Sequence, residues 1–538
     1  MLIHINAAAP AANTLKSAIT IPRSRAARAS PDPERVVVVF RVFAMPSQGR
    51  LIEGPRIARI FHQMFFRQFY DQPLAQASYL IGCQTTGEAV VVDPLRDVAP
   101  YLRAAAAEGL RITHVTETHI HADFVSGARE LAAATGARLL LSAEGGSDWQ
   151  YRFAVGDGVT LLHDGDRIVV GNIRLDVMHT PGHTPEHLSF VVTDTPRAAG
   201  AMGILSGDFV FVGDVGRPDL LERAAGCENT MEAGARTLFR SLQRFRALPD
   251  HLQVWPAHGA GSACGKSLGA VPSSTVGYEK LSNWGVAESD EAQFVATVLD
   301  GQPEPPRYFA EMKRINRDGP TVLGGMPAPA PLAADSISVL SKRAWVLDLR
   351  TASAFAQMHI PNSLSLPYSR AFSMWAGSLV PYDVDIVLLV PPEADNREFV
   401  ATSAAHDLTM IGLDRVIGWM DAKSALAAWT RDGQPAGQIR QLSVAQLTAW
   451  SGEPYTVLDV RGEGEWRDGH VPNAVHVPLG QLASTLAALP STTLIMQCQS
   501  GARSAMGASL LKRLGRNDVL DLAGGYVAWR AARLPVAS

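Results

Sequence analysis

Apolar residues along this chain come in short runs bounded by turn residues, with segments of helical spacing between them. Residues 77–82 and 89–94 form two such runs on either side of Gly87, the pattern of a hairpin. Residues 98–109 are rich in Ala, carry Pro100 near the start and close on Gly109, which predicts a helix with a glycine stop. A strand follows at 112–116, a helix at about 126–135 and a strand at 138–142. Residues 167–170 and 173–179 bracket Gly171-Asn172 and predict another hairpin, and 188–193 and 202–206 continue the strand pattern. Strands with intervening helices, and metal-type residues at strand ends, predict two stacked sheets covered by helices.

Residues 303–335 are dense in Pro, Ala and Gly and read as a helical excursion followed by a linker. Beyond them the pattern repeats. Val346-Leu347-Asp348-Leu349-Arg350, His359-Ile360-Pro361-Asn362 and Leu366-Pro367 return as Val457-Leu458-Asp459-Val460-Arg461, His470-Val471-Pro472-Asn473 and Val477-Pro478. Asp348 to Asp459, His359 to His470 and Pro367 to Pro478 are each 111 positions apart, so the spacing inside the unit is kept. A period of that length means duplicated domains, and each copy reads as a parallel α/β sheet. The whole is an α/β and α+β multidomain chain. Its expected parts are an extension at 1–63, a sandwich at 64–302, the linker at 303–335 and the repeated units at 336–432 and 440–538.

Composition adds constraints. A chain of 538 residues is too long for one core, and a net charge of −4 gives no reason to expect nucleic acid. No apolar run is long enough to span a membrane. Cys83, Cys227, Cys264 and Cys498 are scattered, which argues against a disulfide framework and fits a reducing, cytoplasmic setting. Residues 1–63 hold nine Lys/Arg against three acids, without the core of a secretory signal. Their Arg-rich, acid-poor make-up is compatible with a transit peptide, but they read rather as a disordered extension or as an over-called start, in which case Met64 is the expected beginning.

The chemistry concentrates at Thr118-His119-Ile120-His121-Ala122-Asp123-Phe124, placed between a strand and a helix. His183 in Thr180-Pro181-Gly182-His183, Asp208 in Ser206-Gly207-Asp208 and His258 in Pro256-Ala257-His258 sit at later strand ends or turns. Histidines and aspartates recurring at loop positions across one domain point to a metal centre. His114, His163 and His187, which lie outside these motifs, read as structural or solvent-facing.

These motifs, in this order, resemble the metallo-β-lactamase fold, an αββα sandwich. The stretch 118–127 and Gly213-Asp214-Val215-Gly216-Arg217-Pro218-Asp219 resemble its persulfide dioxygenase branch. Dinuclear hydrolases of the fold carry a histidine where this chain has Phe124, so a mononuclear centre is expected. The resemblance implies His119, His183 and Asp208 as ligands of one Fe(II) per chain, a facial triad with open positions for a persulfide sulfur and O2. His121, Asp123 and His258 are then hydrogen-bonding neighbours or remnants of a second metal position. Arg217 lies where the family lines its thiol substrate, and a guanidinium there would pair with a substrate carboxylate. Cys264 follows in Gly261-Ser262-Ala263-Cys264-Gly265-Lys266, which resembles family sequence near the active-site entrance; it reads equally as a buried structural cysteine or as one that meets the persulfide.

The repeated Asp-x-Arg and His-x-Pro-Asn motifs resemble rhodanese domains. The second copy continues Gln497-Cys498-Gln499-Ser500-Gly501-Ala502-Arg503, similar to the rhodanese active loop. Backbone N–H groups and a helix N-terminus favour a thiolate at Cys498, a nucleophile able to accept sulfane sulfur. Arg503 would bind an anionic donor or acceptor such as sulfite or thiosulfate. In the first copy the cysteine position falls at or just after Val390, followed by Pro391-Pro392-Glu393, and no cysteine lies anywhere from 265 to 497. That copy is expected to be structural.

Together the domains are similar to bacterial persulfide dioxygenase–rhodanese fusions. The implied reaction oxidises a small thiol persulfide, such as glutathione persulfide or coenzyme A persulfide, with O2 to sulfite. The rhodanese exchanges sulfane sulfur with sulfite or thiosulfate in either direction, and a homo-oligomer is compatible with the resemblance. Two rivals stand beside this reading. One is a glyoxalase II-like thioester hydrolase, which requires two metals, zinc being the usual case. The other is a sulfur-relay protein in which only the rhodanese acts.

Overall fold

The computed structural model describes residues 64–223 and 230–538; the expected extension at 1–63, and Cys227, lie outside the described residues. The first sheet runs in the order β1 to β6: β1 (Met64–Asp71), β2 (Gln76–Cys83), β3 (Glu88–Val92), β4 (Arg111–Thr116), β5 (Arg138–Ser142) and β6 (Thr160–Leu162). β1 to β3 are antiparallel and β3 to β6 parallel. The expected hairpin is β2–β3, and β1, which the apolar pattern did not announce, pairs along its full length with β2. A second sheet has the order β12-β11-β10-β9-β8-β7. It comprises β7 (Arg167–Val170), β8 (Ile173–His179), β9 (Leu188–Asp194), β10 (Gly203–Gly207), β11 (Gln253–Pro256) and β12 (Ser274–Thr275).

Side-chain alternation stacks the two sheets. Tyr79, Ile81, Val90 and Val92 from the first meet Leu175, Val177, Phe190 and Leu205 from the second in one core. The opposite face of the first sheet, through Leu80, Val91 and Val115, packs on the helices Ala99–Ala107 and Ala128–Thr135. The opposite face of the second packs on the helices Met231–Arg246 and Glu291–Leu299 through Leu238, Leu242, Phe245 and Phe294. The result is the expected αββα sandwich. In the stretch expected to begin as a helical excursion, a helix does form at Phe309–Asp318, and it lies against the sandwich rather than away from it.

Two parallel sheets follow. The first contains β13 (Trp345–Asp348), β14 (Leu364–Ser365), β15 (Ile386–Val390) and β16 (Val416–Asp421), in the order β14-β13-β15-β16. The second contains β17 (Gln441–Leu442), β18 (Tyr455–Asp459), β19 (Val475–His476), β20 (Thr493–Gln497) and β21 (Val519–Leu522), in the order β17-β21-β20-β18-β19. Apart from the edge strand β17, the orders are the same, as the repeat requires. Local detail repeats too. Asn362 and Asn473 both adopt positive φ (65° and 61°), a conformation asparagine tolerates well. Arg350 is clamped by Asp348 as Arg461 is by Asp459, and both guanidiniums also donate to a backbone carbonyl eight residues on. One apolar core runs from Val125 and the helix Phe309–Asp318 through both parallel sheets to Cys498. No helix among the described residues is long and apolar enough to cross a membrane.

Candidate metal centre and sulfur-carrying loop

The stretch 118–125 leaves β4 as a tight irregular loop whose shape is fixed from below by Asp93. Its carboxylate accepts from Thr118 N (2.6 Å) and Thr118 Oγ1 (2.9 Å), and it lies 3.1 Å from His121 Nε2. Because the Thr118 hydroxyl donates to Asp93, it accepts from His119 Nδ1 (2.9 Å), and this leaves the His119 Nε2 lone pair bare. His183 reaches the same tautomer by donating from Nδ1 to the carbonyl of Arg217 (3.0 Å). His258 does so by donating to the carbonyl of Ala75 (3.0 Å). Asp208 is held by its own N–H, which donates to His187 Nε2 (3.0 Å). Gly216 permits this crowding, since a Cβ there would fall 1.8 Å from the Asp208 carbonyl oxygen.

His119, His183 and Asp208 converge, with one donor atom of each within 4.8 Å of the others, and all three are buried. Asp208 Oδ2 lies 3.4 Å from His183 Nε2 and 3.8 Å from His119 Nε2. His183 Nε2 and both Asp208 oxygens are buried without a hydrogen-bond partner. Orphaned acceptors facing one point are costly unless a cation sits between them, so these residues fit a metal ion. Burial holds His119 and His183 in their neutral form, well below the usual histidine range, and pushes Asp208 up to about 6 against the opposing pull of His258.

The other three motif residues part company. His121 turns toward Asp93; burial alone would lower its pKa, but Asp93 and then Glu117 raise it to about 9. Asp123 and His258 instead gather with Cys264, one donor atom of each again within 4.8 Å of the others. Burial raises the Cys264 thiol well above its ordinary range, reinforced by Asp208 and Asp123. Phe124 is fully buried, 4.5 Å from the His121 ring and packed on Leu95 and Met410. His187, expected to be structural or solvent-facing, is buried and structural: it holds Asp208 and bonds Thr180 Oγ1 (2.9 Å).

Arg217 requires a correction. Its side chain is fully buried, Nε and Nη2 donate to Asp219 (2.8 and 2.7 Å), and Nη1 and Nη2 donate to the carbonyls of Ala263 and Pro303. With four of five donors taken and its charge matched by Asp219, it is not placed to receive a substrate carboxylate. It acts through its own carbonyl, which orients His183.

Several supports were not visible in the sequence. Asn316 donates from Nδ2 to the carbonyls of His121 and Phe124 (both 2.8 Å) and accepts from Ser126 N (2.9 Å). Tyr308 OH donates to the Asp123 carbonyl (3.1 Å), Glu186 accepts from Ile120 N (2.8 Å), and Val125 N donates to Met410 O (2.8 Å) in the first parallel-sheet unit.

At the other end of the chain, β20 delivers Cys498 to a loop closed by the helix Ala502–Arg513. Gly501 takes φ +110°, open to glycine, and its N–H lies 3.1 Å from Cys498 Sγ, while Ser504 Oγ lies 3.6 Å from the sulfur. The amide and the helix start stabilise a sulfur anion there. The Arg503 guanidinium is held in a fork by Glu465 (2.6 and 2.8 Å), a partner the sequence reading did not name. In the first unit β15 ends at Val390 and the chain goes on through Pro391. Cys83, Cys264 and Cys498 are all unpaired and buried.

Comparison with known proteins accords with this geometry. Residues 71–258 match the metallo-beta-lactamase superfamily and residues 443–532 the rhodanese-like domain. A solved metallo-beta-lactamase from Staphylococcus aureus subsp. aureus COL is 44% identical with a TM-score of 0.60, over 66% of this chain and 99% of its own. That share is larger than residues 71–258 make up, so the likeness continues past the sandwich. A hydroxyacylglutathione hydrolase of Rhodospirillum rubrum is 31% identical over 34% of this chain, which spans 60% of that relative's length. Persulfide dioxygenase ETHE1, mitochondrial, of Homo sapiens is 29% identical over 36% of this chain and 68% of its own.

Proposed function

Because the chain belongs to the metallo-beta-lactamase superfamily and carries a rhodanese-like domain near its C-terminus, we propose that it is a non-haem iron persulfide dioxygenase joined to a sulfurtransferase. The observation that carries this reading is the donor set: two neutral imidazoles and one carboxylate converging within 4.8 Å, with Phe124, buried against His121, at the chain position where dinuclear hydrolases carry a further imidazole. Three protein ligands leave positions open for reactants, as an oxygenase needs. Bound there, ferrous iron supplies the one-electron chemistry that lets O2 react with a sulfur nucleophile. The net reaction balances as RSS⁻ + O2 + H2O giving RSH, sulfite and one proton.

The chain's own residues do the positioning. Thr118 and Asp93 fix the His119 ring, the Arg217 carbonyl fixes His183, and His187 fixes Asp208 through its backbone. Phe124, Ala122 and Val125 keep the loop packed against apolar neighbours. Cys498 takes or gives a sulfane sulfur in a loop that stabilises its anion, with Arg503 alongside, tethered by Glu465. The unit at 336–432, which lacks a cysteine, serves as a docking and bracing domain through Met410, Asp414 and Thr409. Oxygen uptake on glutathione persulfide, in wild type and in His119→Ala, tests the reading: uptake in the first and none in the second supports it, and uptake in neither refutes it.

A second reading, a thioester hydrolase, is favoured by one observation, the gathering of Asp123, His258 and Cys264 beside the first group. It predicts hydrolysis of a hydroxyacylglutathione thioester with no oxygen consumed.

A further inference from the structure

Glu465 does more than steady Arg503. We propose that it is a positioning residue that sets the charge selectivity of the sulfur-carrying loop. By masking the Arg503 guanidinium it biases Cys498 towards carriers whose reacting sulfur brings one negative charge or none, such as a thiol persulfide, and against dianions such as thiosulfate. This selectivity presupposes the sulfurtransferase reading for the chemistry at Cys498 and adds to it what the loop admits.

The fork is end-on. Glu465 Oε2 accepts from Arg503 Nη1 (2.6 Å) and Oε1 from Nη2 (2.8 Å), which occupies both carboxylate oxygens and two of the five guanidinium donors. Nε–H and one hydrogen on each Nη lie outside the fork, so Arg503 keeps directions in which to donate while its charge is matched. Gly462 N–H also donates to Glu465 Oε2 (3.2 Å) at the start of the short helix Glu463–Arg467, and this fixes where the carboxylate stands. Arg503 holds the Glu465 carboxyl below the usual range. Glu465 in turn raises Arg503 above its usual value, and Cys498 and Asp459 add to that against burial, so the guanidinium lies within the field of the sulfur.

The neighbouring charges do not replace the masked one. Arg461 donates to Gln499 Oε1 in the loop (3.3 Å), but it is 1% exposed and clamped by Asp459 (2.7 Å). On the other side stands Asp521, 0% exposed, which accepts from the neutral Gln441 (2.9 Å) and adjoins Ser504, whose Oγ lies 3.6 Å from Cys498 Sγ. A dianion approaching the sulfur therefore meets two matched arginines and a buried acid, in a half-buried setting where charge is screened less than on open surface.

The repeat separates this contact from architecture. The Asp348–Arg350 and Asp459–Arg461 clamps occur in both units. The residue 111 positions before Glu465 is Ala354, in the unit without a cysteine. A fork required by the fold would recur in both units; this one accompanies the sulfur.

The test uses the full-length chain, kept anaerobic, and two alkylating reagents of similar size, anionic iodoacetate and neutral iodoacetamide. Modification of the Cys498 peptide is followed by mass spectrometry. The ratio of the two rates cancels any change in thiolate fraction and reads charge selection alone. Glu465→Gln, whose Oε1 still accepts from Gly462 N–H, is expected to raise the iodoacetate-to-iodoacetamide ratio roughly tenfold at low salt, less as salt is added. It should lower KM for thiosulfate to a similar extent, with kcat and the KM for glutathione persulfide changed by less than about twofold. Adding Arg503→Gln to Glu465→Gln should return the ratio to the wild-type level, since the effect acts through that guanidinium. An unchanged ratio in Glu465→Gln overturns the proposal, and a loss of kcat on both donors beside it leaves Glu465 as a brace only. A ratio that stays high in the double variant overturns it as well. Transfer from neither donor in wild type would refute the sulfurtransferase reading, while the alkylation ratio still decides what Glu465 does.

Discussion

Asn316 is where the account of the metal loop is most exposed to refutation. The residue is 1% exposed and ties together three backbone groups of the loop, the carbonyls of His121 and Phe124 and the N–H of Ser126. Asn316→Ala leaves all three buried without a partner. At about 1–3 kcal/mol for each unsatisfied group, the upper bound is about 9 kcal/mol; water entering the vacated volume recovers a large part, and about 3 kcal/mol is expected to remain. The chain has several domains, so a single unfolding midpoint does not isolate the effect, but local opening does. The Ile120 and Val125 amides make hydrogen bonds that Asn316 does not touch, to Glu186 and to Met410. If the loop opens as a unit, about 3 kcal/mol corresponds to roughly a hundredfold faster hydrogen exchange at both amides, with loss of bound iron in parallel. Exchange unchanged at Ile120 and Val125, with iron retained, would show that the loop holds its shape without Asn316 and would sink the argument.

Three further outcomes follow from the geometry. Cys498→Ser should abolish sulfane sulfur transfer from thiosulfate while oxygen uptake on a supplied persulfide persists; loss of both in a folded protein would mean the two chemistries share a residue. His406, on the helix Arg397–Met410, stands 3.5 Å from both Asp97 and Asp407. Burial alone would lower its pKa, but those carboxylates raise it to about 9. Its contribution to docking on the sandwich is therefore complete below about pH 6.5 and lost as pH rises through about 9. Limited proteolysis should show more cleavage at alkaline pH in wild type and no such dependence in His406→Asn. Arg217→Lys, which keeps the charge but not the fork with Asp219, should reduce metal retention through His183 rather than raise KM selectively for glutathione persulfide; a pure KM effect would return Arg217 to the substrate.

The sandwich and the repeat were legible because both rest on local patterns: β-alternation around Gly87 and Gly171, and motifs repeated at a fixed offset. The convergence of the three candidate ligands was foreshadowed for the same reason, since His119, His183 and Asp208 each lie in the loop that follows a strand. What escaped was whatever depends on distant pairing. Asn316 meets the loop from 190 or more positions away, on a helix read only as an excursion. Glu465 reaches Arg503 across 38 positions. Arg217 was misread because a guanidinium in a family motif looks available until its neutralising partner is seen, although Asp219, two residues on, was a signal.

The central claim is tested most directly by purifying the chain anaerobically, measuring its iron and following oxygen consumption when glutathione persulfide is added. The account predicts about one iron per chain at the His119–His183–Asp208 position, and oxygen consumed in equal measure with sulfite formed. A fully iron-loaded chain that consumes no oxygen, together with a zinc-loaded chain that cleaves a hydroxyacylglutathione thioester, would contradict it.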